Sequence, residues 1–440
     1  MTPAPLGWLG IIRLGLVQTA LGAIVVLTTS ALNRVMVVEL ALPATLPGIL
    51  VGIHYALQML RPRMGYGSDM GGRRTPWIIG GMAVLALGGV LAAAGTALMG
   101  EALWAGIALA VFAFLMIGAG VGAAGTSLLV LLAARTAPAR RAAAASLVWI
   151  MMIAGFVVTT AIAGRLLDPY SPARLIAVAA GVSAIAFTLA TLAVWGMEGA
   201  RAARPEASEA AKPPFRQALR EVWAEPEARR FTIFIFVSML AYSAQDLILE
   251  PFAGAIFGRS LGETTRISSL QHAGVLVGMI TIALIGSARG GRWAGTLRFW
   301  TIAGCLASAA MMLALSIAGQ FGAAWPLKTS FFALGVANGV FAAAAIASMM
   351  QMVARGHESR EGTRMGLWGA AQAVAFGFGG LAGAAAVDIA KFALGNAEGA
   401  YAAVFIIDAA LFITSALLAA RINRPEISKT GGFGPMVPAR

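Results

Sequence analysis

The 440-residue chain is 59% hydrophobic and 12% charged, with a mean hydropathy of +0.82, which leaves too little polar surface for a soluble fold of any number of domains. Its formal charge of +13 does not point to nucleic acid, because the basic residues are spread between apolar runs as topology signals. The single cysteine, Cys305 in TIAGCLASAA, excludes a disulfide framework and a cysteine metal site and reads as a small core residue.

Twelve runs are long enough to cross a hydrocarbon layer of about 30 Å. Six lie near 13–32, 43–60, 77–99, 103–132, 144–163 and 175–195. Six more lie near 231–249, 270–286, 299–317, 330–353, 365–386 and 402–420. The first starts behind Arg13 and spans, so no cleavable leader is expected. The long polar connection RAARPEASEAAKPP falls between the two groups. The expected organisation is an all-α membrane protein with a 6+6 pseudo-repeat. It divides into a six-helix bundle over 1–196, a cytoplasmic linker over 197–230, a second bundle over 231–424 and a tail over 425–440. Within the linker, FRQALREVW aligns Phe215, Leu219, Val222 and Trp223 on one face, as a helix lying on a membrane surface would. If both termini share a side, that side holds 25 of the 32 Lys and Arg residues; without the seven of the linker the ratio is 18 to 7. The positive-inside rule then makes both termini cytoplasmic.

In chain order, the first run closes with LNRVMVVEL, carrying Arg34 at the far end of a membrane helix. The second holds His54 near mid-membrane, with Gln58 one turn on, a position most often used for packing against a neighbouring helix. The following loop, RPRMGYGSDMGGRRTPW, places Gly65, Asp69, Gly72, Arg73 and Arg74 in a G-x-x-x-D-x-x-G-R-R pattern. Glycines allow the tight turn, and the acid with the arginines could form a latch at helix ends. IGAGVGAAG, with Gly118, Gly120, Gly122 and Gly125, lies inside an apolar helix with no preceding strand and predicts close helix packing, not nucleotide binding.

The seventh run contains LAYSAQDLILEPFAG, in which Asp246 and Glu250 are spaced i, i+4 and share one helix face. Such a face is expensive in lipid, so the carboxylates are expected between the two bundles, with Arg34 as their ion-pair partner in a clamp or gate. Counting from Phe231, Glu250 is expected at the periplasmic boundary and Asp246 one turn inside. His272, in SSLQHAGVL, lies near the start of the eighth run. Gly377, Gly379 and Gly380 in FGFGG predict packing or bending of the eleventh run. Asp408 in VFIIDAALF lies about 9 Å inside the twelfth, as a proton carrier or a hydrogen-bonded acid.

The 61–77 loop resembles the signature between helices two and three of major facilitator superfamily transporters, departing from it at Met70, where a basic residue is usual. LNRVMVVEL, LAYSAQDLILEPFAG, SSLQHAGVLVGM, NGVFAAAAIASMM and REGTRMGLWGAAQAVAFGFGG resemble, more narrowly, the PucC and LhaA, or bacteriochlorophyll delivery, family of phototrophic bacteria. The short loop after the Ser-Asp pair resembles the branch associated with bacteriochlorophyll synthesis. The resemblance implies a non-catalytic factor in the inner, intracytoplasmic photosynthetic membrane that aids pigment delivery or late synthesis and assembly of light-harvesting complexes. Expected partners are bacteriochlorophyll or a precursor, antenna polypeptides or pigment-synthesis enzymes, and lipid. Expected cofactors are none held permanently, with transient bacteriochlorophyll, for whose magnesium His54 and, more weakly, His272 are the candidate imidazole ligands, although packing is the commoner use of both. The residues also admit a proton-coupled transporter of a small solute using Asp246, Glu250 and Asp408, or a scaffold for a synthesis enzyme that moves nothing.

Overall fold

A computed structural model describes residues 5–60, 73–137, 140–198, 220, 223–287, 297–355 and 361–421. Twelve α-helices run through them: α1 Trp8–Leu27, α2 Thr45–Gln58, α3 Thr75–Leu98, α4 Leu103–Arg135, α5 Arg141–Leu166 and α6 Pro172–Val194, then α7 Pro226–Phe257, α8 Leu261–Ser287, α9 Leu297–Phe321, α10 Leu327–Arg355, α11 Glu361–Leu394 and α12 Ala397–Arg421. Eleven helical stretches among the described residues are long and apolar enough to span. The second run of the sequence yields only α2, 14 residues long, or about 21 Å.

Two helices depart from the expected runs in ways that matter for the seam between bundles. Helix α1 continues past Leu27 as two π-helical turns, Thr28–Leu32 and Val35–Glu39, the wider winding that often marks functional positions. Helix α7 does not stop at Leu249 but runs through Pro251 to Phe257, where Gly258, at φ 61°, closes it in the left-handed region. Glu250 is therefore not at a helix boundary. It lies two turns inside and is 3% exposed.

Two large apolar cores form, with a small third cluster of Val37, Ala44 and Ala384 across the seam. One is built from α1 to α6, with Leu247 and Leu261 added from the second group; the other is built from α7 to α12. Small residues set the distances within them. A Cβ on Gly120 would come within 2.6 Å of the Gly81 carbonyl, and one on Gly118 within 2.6 Å of the His54 carbonyl, so α4 packs backbone to backbone on α3 and α2. Gly379 does the same for α11 against Leu240 of α7, at 2.6 Å. The glycine runs therefore serve packing.

At the chain's N-terminal end of the bundle, α3 has no side-chain cap of its own. Glu198, just beyond α6, supplies one, accepting the Arg74 amide and the Thr75 amide, the latter at 3.0 Å, with Arg73 at 3.9 Å. Burial alone would raise the Glu198 carboxyl. The two amides, the Thr75 hydroxyl and the Arg73 charge outweigh it and hold the group below its ordinary value. Gly65, Asp69 and Gly72 of the expected latch lie outside the described residues, as do Phe215, Leu219 and Val222 of the expected surface helix and the tail 425–440.

Candidate functional site

The seam between the bundles is held at the end opposite the N-terminus, where α1 finishes and α2 begins. Its centre follows from a backbone defect. Pro251 has no N–H, so the Leu247 carbonyl one turn earlier loses its helical donor. Asn33 of α1's π-helical extension donates its side-chain amide to that carbonyl at 2.7 Å. An unpaired carbonyl cannot be left to lipid, and the opposite bundle supplies the missing hydrogen bond. Ser30, one turn away, donates to Glu250 Oε1, and the Ser268 hydroxyl of α8 also faces that carboxylate.

Arg34 corrects an expectation. The partner within ion-pair distance is Glu39 on its own chain segment and not Asp246 or Glu250, although the Arg34 charge also acts on Glu250. It still joins the bundles, because Nη2 donates to the Arg259 carbonyl at 2.6 Å and its guanidinium lies against Gly254, where a Cβ would meet Nε at 3.0 Å. The reach of the π-helical segment brings Glu39 back to Arg34, while Glu250 accepts from Ser30 and stays within reach of the Arg34 charge. Arg34 is 3% exposed, so neutralisation by Glu39 is what makes its burial tolerable.

Two aspartates that sequence reasoning passed over complete this end. Asp388 of α11 accepts the Ala44 amide at 3.0 Å, the Thr45 amide at 2.7 Å and the Thr45 hydroxyl at 2.6 Å. It therefore caps α2 of the other bundle, whose own N-cap, Ala44, has no acceptor. Asp168, after α5, accepts the Gly262 amide and the Ser260 hydroxyl, both at 2.9 Å, and lies 3.6 Å from Arg266, thereby capping α8 across the seam. The available signal was an uncapped helix start at Ala44. No spacing in the sequence ties it to Asp388.

The helices beside these caps approach closely. A Cβ on Gly262 would sit 2.2 Å from the Gly164 carbonyl, and one on Gly48 3.0 Å from the Ala384 Cβ. Further along, Ser269 of α8 donates to the Val157 carbonyl at 2.9 Å, and His272 meets Phe156 edge-on at 5.1 Å. The caps lie at one end of the molecule, and the Ser269 and His272 contacts reach about midway along the helices.

Deeper in the seam an aromatic ledge crosses it: Tyr55 of α2 lies 5.6 Å from Phe376 of α11, which lies 5.9 Å from Tyr242 of α7. Asp246, one turn from Tyr242, is half-buried, and among the described residues it has neither a hydrogen bond nor an ion pair. His54 is next to the ledge but turned into its own bundle. It is 4% exposed, with Nε2 2.8 Å from the Gln58 amide and its ring edge-on to Tyr55. His272 is 5% exposed, with Nδ1 2.9 Å from the Ser268 carbonyl. Packing encloses both imidazoles, leaving no open face for a macrocycle in this conformation. Asp408 lies apart from the seam, inside the second bundle.

A family model described as "PUCC protein" matches residues 31–427. The chain is 53% identical over 415 residues to the "Bacteriochlorophyll synthase 44.5 kDa chain" of Rhodobacter capsulatus, covering 94% of this chain and 95% of that one. It is 30% identical over 432 residues to "Protein PucC" of the same organism, covering 92% and 90%. Among solved structures, an inward-facing, occupied bacterial homologue of the human lysosomal transporter Spinster aligns with TM-score 0.68 at 15% identity, covering 94% of this chain and 96% of that one. The nucleoside transporter NupG aligns with TM-score 0.66 at 16% identity, covering 94% and 100%. The fold is that of major facilitator transporters.

Proposed function

The chain belongs to the PUCC protein family, and on that premise we propose that it is a photosynthesis-associated membrane factor aiding bacteriochlorophyll delivery or late synthesis and the assembly of light-harvesting complexes. The observation that carries this reading is the 53% identity, over 95% of its length, to a chain named for bacteriochlorophyll synthase, against 30% to Protein PucC of the same organism. That contrast favours service to pigment synthesis over service to one antenna complex. The role is delivery, not covalent chemistry, with both termini in the cytoplasm of a bacterial inner membrane. Partners are bacteriochlorophyll or a precursor, and an enzyme or antenna polypeptide that hands it over or receives it.

The seam geometry supports this reading through its walls. Tyr55, Phe376 and Tyr242 offer flat, apolar contact suited to a macrocycle or its isoprenoid tail. Asp246 offers a single polar anchor beside them. His54 and His272 are not assigned as ligands, given their enclosure. Gentle purification from a phototroph, followed by an absorption spectrum and identification of co-purifying proteins, tests the proposal. Pigment or pigment-synthesis proteins should accompany the chain, and its deletion should lower the pigment bands. An unaccompanied chain whose deletion leaves those bands unchanged overturns it.

A further inference from the structure

The second bundle holds a polar node that the seam does not use. Ser308 of α9 donates to Asn338 Oδ1 of α10 at 2.8 Å. Phe341, three residues along α10, meets Phe412 of α12 edge-on at 5.8 Å. Helices α10 and α12 run in the same direction, so Asn338 is level with Asp408, which precedes Phe412 by four residues. Helix α7 runs the opposite way, and Tyr242 meets Phe341 at 6.4 Å. Gln245, three residues on, is therefore level with Asn338. Gln245 lies on the α7 face that carries Phe252, which meets Phe405 of α12 at 4.9 Å. Four helices thus bring a carboxylate, two carboxamides and a hydroxyl to one depth.

All four side chains are buried: Gln245, Ser308 and Asn338 at 0% and Asp408 at 2%. They are not satisfied by one another. Both side-chain polar atoms of Gln245, the Asn338 Nδ2 and the Asp408 Oδ2 lack a hydrogen-bond partner. Buried polar atoms are normally paired, and several left open at one level point to something that binds there. Among the described residues no lysine or arginine is buried in this bundle to balance the carboxylate. The atoms suit a hard, singly charged cation. Asp408 supplies negative charge and Gln245 a carbonyl oxygen. Turning the Asn338 amide over keeps its bond to Ser308, now as donor, and frees a second carbonyl oxygen.

We propose that Gln245, Ser308, Asn338 and Asp408 form a binding site for a sodium ion inside the second bundle, tying α7, α9, α10 and α12 together. An ion that binds the folded chain and not the unfolded one raises the unfolding temperature with the logarithm of its concentration once that concentration exceeds the dissociation constant. The full chain in detergent, titrated with sodium chloride against choline chloride at constant total salt, should melt about 2–5 °C higher at 100 mM sodium than at 1 mM. Asp408→Asn should lose that response, whereas Asp246→Asn, on the same helix as Gln245 but outside the node, should keep it. Radioactive sodium binding to the unaltered protein provides a second readout should Asp408→Asn fail to fold. The same melting curve in sodium and choline with no bound radiolabel overturns the site, as does stabilisation that acid provides and sodium does not.

Discussion

At the residue scale, the seam turns on Asn33 and Pro251, one from each bundle. The proline removes a donor from α7, and the asparagine of α1 replaces it at 2.7 Å. Leaving a buried carbonyl without a donor costs about 1–3 kcal/mol, so Asn33→Ala should lower stability by about that amount. Pro251→Ala restores an N–H one turn from Leu247, and the double variant should recover most of the loss. Denaturation of the two singles and the double measures the coupling. Losses that simply add would mean that the Asn33 amide does not stand in for the missing helical bond. Glu198 gives a second case, decided by pH. Its carboxyl titrates below the ordinary value of 4.5 in the folded chain. The stability it contributes is therefore fully present above that pH and is lost as pH falls through the lowered value. Glu198→Gln should be less stable than the parent by about 1 kcal/mol at pH 7, as for a lost helix cap. The gap should narrow as pH falls below 4.5 and close below the lowered value. A gap independent of pH would remove the carboxylate from the account.

At the element scale, two helix starts are capped from the opposite bundle, α2 by Asp388 and α8 by Asp168. Each cap places negative charge at the positive end of a helix dipole, and exchange for a neutral amide is worth about 1 kcal/mol. Loss of both amounts to about 2 kcal/mol, or roughly thirtyfold in the ratio of open to closed seam. Ala384, 2% exposed beside Gly48, is a reporter for that ratio. In a Cys305→Ser background, Ala384→Cys should react with a membrane-impermeant maleimide at least tenfold faster once Asp168→Asn and Asp388→Asn are added. Unchanged labelling would make the two aspartates ordinary caps with no part in closure. Helix starts of this kind divide what the sequence tells from what it hides. Apolar run length located the helices, because a membrane demands about 20 residues per crossing. The i, i+4 spacing put Asp246 and Glu250 on one face of α7. Which acid meets which base depends on the rise of π-helical turns and on helices distant in the chain. Arg34 therefore pairs with Glu39, and Asp388 with a helix start some 340 positions away.

At the scale of the whole molecule, two large cores meet along a seam whose hydrogen bonds run from the caps at one end to Ser269 about midway. Each bundle can keep its own packing while that end opens, which makes a rocking pair mechanically available. The choice between a fixed clamp and a moving gate can then be put to the chain itself. A Cβ on Gly48 would lie 3.0 Å from that of Ala384, near the roughly 3.5–4.5 Å span of a disulfide. Gly48→Cys with Ala384→Cys, again without Cys305, should cross-link in an oxidising compartment and hold the end shut. If delivery proceeds by alternating openings, a deletion strain carrying the locked chain should show the low bacteriochlorophyll content of the deletion. Growth with a permeant thiol reductant should bring the pigment back, and each single cysteine should behave as the parent. Normal pigment from a chain shown to be fully cross-linked would make the seam a static clamp and the protein a scaffold. The bonds of Asn33, Arg34, Asp168 and Asp388 would then serve stability alone.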